Sequence, residues 1–300
     1  MTSLDFGPLV LGGNTFGWTS DRDESFAVLD AFVAAGGRAI DTADVYSAWI
    51  PGNSGGESET IIGEWIASRG RRDDVLIQTK VFSLAERPGL SAANVRAAVD
   101  DSLRRLQTDR IDLYFAHRDD PNVPQEEYVA VFDELVRAGK VLEVGASNFT
   151  ADRLRSAVAI AQSAGQTAFT VAQDPYNLVD RRIEETLVPT LLELGVVEGP
   201  YSALASGFLT GKYRPGVAVD SKRPNVAARL DDPRNLELLT ALDEISAARG
   251  VSVSAIALAW LRGRPSVTAP LASARTVEQL PALVESFGLE LTDAEVARLA

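Results

Sequence analysis

Four residues of this chain have the types and setting for proton chemistry: Asp41, Tyr46, Lys80 and His117. His117 is the single histidine. It ends the apolar run 111–116 and is followed at once by Arg118-Asp119-Asp120-Pro121. The run reads as a buried strand and the proline-bearing cluster as its exit loop. Lys80 lies near the end of a second run, 75–81, and Asp41 near the end of a third, 38–43, with Tyr46 five positions further on. A free tyrosine titrates near ~10, so it holds a proton at neutral pH and can donate it. A neighbouring ammonium stabilises the phenolate left behind and is expected to lower that pKa toward the working range. The lysine needs a carboxylate to stay charged and oriented once buried. Asp41, Lys80 and Tyr46 supply anchor, activator and acid, and His117 can donate a hydrogen bond to the same oxygen. The set suits protonation of a carbonyl oxygen as it becomes an alkoxide. None of these residues can supply a hydride, so a cofactor must. Each also admits a structural reading. Asp41 could cap a turn, Lys80 could reach solvent, Tyr46 could be a rim aromatic, and His117 could bond a backbone group.

What would bring these residues together is the order of elements. Short β-branched runs at 8–14, 38–43, 75–81, 111–117, 141–148, 169–173, 196–201 and 267–272 alternate with helical stretches. Tyr128, Val131, Phe132, Leu135 and Val136 form one apolar stripe at helical spacing, and Val95, Val99, Leu103 and Leu106 form another. Eight strand–helix units imply a parallel sheet closed into a (β/α)₈ (TIM) barrel, a single domain over 1–300. An extra helix is expected at 254–262, before the eighth strand. The stretch 205–233, rich in Gly and Pro, reads as a long functional loop after the seventh strand. In such a barrel, the C-terminal strand ends form the active face. There the fifth strand presents Ser147-Asn148, the sixth Gln173 and the seventh Tyr201-Ser202. Ser147-Asn148 also admits a role as cap of a helix at 150–164.

Composition narrows the partners. Hydrophobic residues make up 46% and charged residues 24%, as in ordinary soluble globular proteins. A net charge of −13 argues against nucleic acid and anionic membranes, which demand a basic surface. It leaves room for a phosphorylated small molecule, which needs only a few local cations. With no cysteine and one histidine, neither disulfides nor a metal site are expected. No apolar stretch is long enough for a bilayer span. The start Met1-Thr2-Ser3-Leu4-Asp5 lacks a basic leader, so a cytoplasmic location is expected, with the chain a monomer or weak homo-oligomer.

Taken together, these segments resemble the aldo-keto reductase superfamily over nearly the whole chain, and most of all its bacterial and potassium-channel-β-like branch. Ile40-Asp41-Thr42-Ala43-Asp44-Val45-Tyr46, Thr79-Lys80 and 112–118 are similar to its tyrosine, lysine and histidine segments. The resemblance implies Asp41, Tyr46, Lys80 and His117 as catalytic tetrad and a nicotinamide dinucleotide as cofactor. It also implies that Ser147, Asn148 and Gln173 hold the carboxamide and that Tyr201 stacks on the ring. The segment 200–213 places Ser202, Leu204 and Lys212 at the pyrophosphate, with Ser206 and Gly207 also binding the cofactor. Segment 272–279 places Ser273, Arg275 and Gln279 at the adenosine end. Ser273 and Arg275 at a helix N-terminus suit a 2′-phosphate, hence NADPH. Trp18 and Trp49 are expected beside a small carbonyl substrate, a keto-sugar among the candidates. Three departures stand out. Leu283 occupies a position where relatives often carry an adenine-contacting Asn, Glu198 stands where an apolar strand residue is usual, and the sequence stops at Ala300 where relatives often continue into a C-terminal loop over the substrate. Two other readings stay open: a cofactor-binding regulatory subunit with little turnover, and a barrel lyase or isomerase without nicotinamide.

Overall fold

The computed structural model describes residues 2–219 and 225–300. Strands and helices alternate along the chain. They run β1 Val10–Gly12, α1 Arg22–Ala34, β2 Ala39–Asp41, α2 Glu57–Arg69, β3 Leu76–Val81, α3 Ala92–Leu106, β4 Ile111–Ala116, α4 Gln125–Arg137, β5 Val141–Ser147, α5 Ala151–Ala164, β6 Val171–Gln173, α6 Ile183–Leu194 and β7 Val197–Glu198. The chain continues with α7 Pro233–Arg249, the inserted α8 Val253–Arg262, β8 Leu271–Ala272, α9 Pro281–Val284 and α10 Asp293–Arg298. The strands are parallel and ordered β7-β6-β5-β4-β3-β2-β1-β8. The two outer strands then meet. Glu198 N–H donates to Ser266 O (2.7 Å), Thr268 N–H to Glu198 O (2.8 Å) and Leu271 N–H to Pro200 O (2.8 Å), which closes the (β/α)₈ barrel.

The closing strands are shorter than their sequence runs. The run 196–201 yields only Val197–Glu198, and 267–272 only Leu271–Ala272. Pro200 and Pro270 have no N–H to give a ladder, so pairing there falls back on isolated bonds. The apolar stripes face inward as their spacing requires. Tyr128, Val131, Phe132 and Leu135 of α4 are buried, as are Val95, Val99 and Leu106 of α3. Thr150, not Ser147 or Asn148, caps α5, its side chain accepting from Arg153 N–H (3.3 Å). No single helix among the described residues is long and apolar enough to cross a membrane.

Two apolar layers hold the barrel. One lies between strands and helices. The other fills the barrel's lower interior with Phe6, Val10, Ala39, Leu113, Phe115, Val171, Ala269 and Leu271. Gly145 makes room there, because a Cβ on it would meet the Phe115 ring at 2.4 Å. Side chains alternate along a strand, so the inward face of β3 reads Leu76, Gln78, Lys80 and that of β2 reads Ala39, Asp41. The barrel interior therefore passes from apolar at the base to polar at the C-terminal mouth.

Candidate active site

Asp41 is the hub of that polar layer. Its Oδ1 accepts from Lys80 Nζ (2.6 Å), Gln78 Nε2 (2.8 Å) and Gln173 Nε2 (3.0 Å), and its Oδ2 from Lys80 Nζ (2.7 Å) and the Tyr46 hydroxyl (3.1 Å). Lys80 Nζ also donates to Thr42 O (2.7 Å) and to Tyr46 Oη (3.1 Å). Asp41 and Lys80 are each only 1% exposed. So Asp41 is no turn cap, Lys80 does not reach solvent, and Tyr46 is tied to both.

The expected effect of Lys80 on Tyr46 is overturned. Burial first, then the charge and hydrogen bond of Asp41, hold the Tyr46 hydroxyl well above its ordinary value. Asp41 clasps the ammonium with both oxygens, so the pair beside Tyr46 carries no net charge to pull the phenol down. Burial also lowers Lys80 from its ordinary value, opposed by Asp41. Tyr46 is thus a firmly protonated donor.

His117 extends the β3–β4 ladder, its N–H donating to Val81 O (2.9 Å), and its ring stands 6.3 Å from that of Tyr46. Burial first, then the charges of Lys80 and Arg118, depress its pKa to about 3. The imidazole is neutral at physiological pH. Its Nδ1 is buried without a partner among the described residues.

These groups face a cavity of about 660 Å³ at the barrel mouth. Its walls bring together Asp41, Tyr46, His117, Ser147, Asn148, Gln173, Tyr201, Ser202, Leu204, Ser206, Gly207, Lys212, Ser273, Arg275 and Gln279, as the sequence placed them. Trp18 lines it too. Trp49 does not; it stands at the rim, 48% exposed, edge-on to Trp18 (5.6 Å) and Tyr46 (6.3 Å). Of the described part of the 205–233 loop, only Ser206, Gly207, Thr210 and Lys212 line the cavity. Residues 220–224 of that loop lie outside the described residues.

The cavity fits an anionic dinucleotide. Ser202, Ala205, Ser206 and Gly207 all have positive φ, which curls the loop tightly enough for the Lys212 side chain to fold against Gly207. The side chains of Arg118, Lys212 and Arg275 have no carboxylate partner among the described residues, in a chain where acids outnumber bases. Cations left unpaired in one cavity mark a place for negative charge. The helix expected after Arg275 is only the short turn Val277–Gln279 and the four-residue α9, so its dipole is weak.

Residues outside the expected tetrad and cofactor set also line or support the cavity. Gln78 fastens Asp41; it stands two positions before Lys80 on the same strand face, a signal that period-2 alternation offers. Asn14 accepts from Ser273 Oγ (2.6 Å), and Thr15, Thr19 and Arg118 line the cavity. Asp174 accepts from Asn148 N–H (3.1 Å). Leu283, buried at 3%, gives the far end of the cavity an apolar wall.

A barrel with this polar mouth matches the aldo/keto reductase family, whose model covers residues 8–300, and the chain belongs to that family. It is 34% identical to the uncharacterized oxidoreductase YrpG of Bacillus subtilis, across 99% of this chain and 92% of the relative. It is 32% identical to the putative aryl-alcohol dehydrogenase AAD14 of Saccharomyces cerevisiae (97% and 82% covered) and 32% identical to the norsolorinic acid reductase stcV of Emericella nidulans (99% and 78%). The protein is an NAD(P)H-dependent oxidoreductase acting on carbonyl groups.

Proposed function

We propose that the protein reduces an aldehyde or ketone to the alcohol, with NADPH as hydride source and Tyr46 as proton donor. The observation that carries this is the Tyr46 hydroxyl, 3.1 Å from both Lys80 Nζ and Asp41 Oδ2 on the cavity wall. The bound dihydronicotinamide supplies a hydride for the carbonyl carbon. Tyr46 turns its proton from Asp41 to the oxygen that gains charge, and Lys80 stabilises the phenolate that remains. His117, being neutral, keeps one N–H with which to orient the same oxygen.

On the cofactor side, Ser147 and Asn148 hold the carboxamide. The Gln173 amide N–H₂ is committed to Asp41, which leaves its oxygen to accept from the carboxamide nitrogen. Tyr201 offers its ring to the nicotinamide. Ser202, Leu204, Ser206, Gly207 and Lys212 take the pyrophosphate, and Ser273, Arg275 and Gln279 the adenosine end. Arg275 favours a 2′-phosphate and so NADPH over NADH. The Trp18–Trp49 corner beside Tyr46 suits a flat substrate, in line with two relatives named for aryl-alcohol and norsolorinic acid chemistry.

The test is a titration with NADPH followed by tryptophan fluorescence, then NADPH consumption with aromatic aldehydes, aliphatic aldehydes, ketones and keto-sugars. Saturable binding and turnover, fastest on aromatic carbonyls, are expected. Absence of binding overturns the cofactor assignment. Binding without turnover across the panel overturns the reductase reading in favour of a cofactor-binding regulatory role.

A further inference from the structure

Glu198 is fully buried in β7. A carboxyl group in that place costs desolvation that an apolar residue would not. Its Oε1 accepts the Asp174 backbone N–H at 2.8 Å, and its Oε2 is buried without a partner among the described residues. The last β6–β7 pair is Ala172 with Glu198, so Asp174 lies two residues past the ladder. Glu198 gives that buried N–H its acceptor. The Asp174 side chain in turn accepts from Asn148 N–H (3.1 Å). Asn148 sits at φ +58°, a left-handed conformation uncommon in non-glycine residues though one that asparagine takes more readily than most, and here bonds at both its N–H and its side chain hold it.

The same asparagine spreads its side chain over the site. Its Nδ2 donates to His117 O (3.1 Å) and Ser147 Oγ (2.8 Å), and its Oδ1 accepts from the Tyr201 hydroxyl (2.8 Å). The Tyr201 N–H returns to Asp174 O (3.0 Å). One continuous chain of bonds therefore runs from Glu198 through Asp174 to Asn148, and from there to His117 and Tyr201. Burial holds both acids above the ordinary carboxylate range, and the Asp174 charge pushes Glu198 further. Glu198 is the member of the pair that keeps its proton, and a glutamine resembles it.

We propose that Glu198 and Asp174 are positioning residues for the nicotinamide end of the cofactor site, locking Asn148 in its left-handed conformation so that its amide, Tyr201 and His117 keep one geometry. This rests on the reading that Asn148 and Tyr201 hold the nicotinamide.

The test compares Glu198→Gln, Glu198→Leu and Asp174→Ala by NADPH affinity and by amide hydrogen exchange at 147–149, with 111–116 as internal control. Glu198→Leu fills the space but orphans the Asp174 N–H. It should weaken NADPH binding about tenfold and speed exchange at 147–149 by a similar factor, with 111–116 unchanged. Asp174→Ala should do the same, and the double variant should be no worse than either single one. Glu198→Gln, which keeps the acceptor, should stay within about twofold of the unsubstituted protein.

Unsubstituted affinity or unsubstituted exchange at 147–149 in Glu198→Leu overturns the proposal, as does a Glu198→Gln variant as weak as Glu198→Leu. If Glu198→Leu does not fold, Asp174→Ala and Glu198→Gln decide by the same readouts. If the unsubstituted protein binds no NADPH, the cofactor reading has failed and with it the cofactor half of this proposal. The exchange data then report on the Glu198–Asp174–Asn148 linkage alone.

Discussion

Lys80 Nζ stands 2.6 and 2.7 Å from the two carboxylate oxygens of Asp41, so the cation beside Tyr46 is a compensated one. Both partners are buried, and neither can lose the other without leaving an unpaired charge in the barrel. Lys80→Met and Asp41→Leu should therefore each destabilise the fold by about 3–5 kcal/mol. Each should also abolish carbonyl reduction. Urea unfolding at neutral pH reads the first effect, and a variant as stable as the parent would contradict the pairing. Joining the two substitutions should restore much of the stability and none of the activity.

Tyr46 donates to Asp41 Oδ2 and accepts from Lys80, while the cofactor-side groups lie on other strands. Tyr46→Phe should lower kcat by roughly 10²–10⁴ through loss of the general acid. NADPH affinity should stay within about twofold, since no proposed cofactor contact is removed. Turnover at the parent rate in this variant would remove Tyr46 from its role.

Arg275 has no carboxylate partner among the described residues, and its backbone N–H is bonded to Gln279 Oε1 (3.0 Å). A 2′-phosphate would be its partner. Arg275→Ala should weaken NADPH binding about tenfold, the scale of one charge-assisted bond, and leave NADH binding unchanged. Equal losses for the two cofactors would show that Arg275 acts on a part common to both.

Much of the site was legible because strand ends are legible. Asp41, Lys80, His117, Ser147 and Gln173 each close an apolar run, and a parallel barrel delivers such positions to one mouth. What sequence order does not carry is who pairs first. Lys80 reads as an activator of Tyr46, yet Asp41 claims its charge, and the phenol's shift reverses direction. Gln173 reads as a cofactor ligand, yet half of its amide serves Asp41. The short β7 and β8 are a matter of donors, since Pro200 and Pro270 sit inside runs whose hydropathy is otherwise strand-like. Trp49 reads as a substrate-side residue, and the loop places it at the rim of the cavity against Trp18 and Tyr46.

His117 has its pKa depressed to about 3 from an ordinary 6.5 by burial and by Lys80 and Arg118. No ionisation of this residue should therefore appear in the pH dependence of kcat/KM between about pH 5 and 8. For stability, the unfolded chain binds a proton here more tightly than the folded one. Stability from this group is intact above about 6.5 and is lost as the pH falls from 6.5 toward 3. His117→Gln should match the parent in urea at pH 8 and resist acid better near pH 4. A loss of activity centred near pH 6.5 that disappears in His117→Gln would contradict the neutral imidazole.

Asp44 presents the opposite sign. It is 1% exposed, and its Oδ1 is buried without a partner among the described residues. Burial, then the charge of Glu59, raise its pKa to about 7, opposed by Arg105 and Arg87. The folded chain thus holds this proton more tightly than the unfolded chain, whose aspartate titrates near 3.8. Between those values stability falls as pH rises, and the penalty is complete above about 7. Asp44→Asn removes the ionisation and keeps the shape. It should stabilise the protein by about 1–3 kcal/mol at pH 8 and by much less near pH 4. Urea unfolding at the two pH values is the measurement. A gain equal at both would mean that the substitution acts through packing, and a loss at pH 8 would mean that Arg105 or Arg87 needs the ionised carboxylate more than its burial costs.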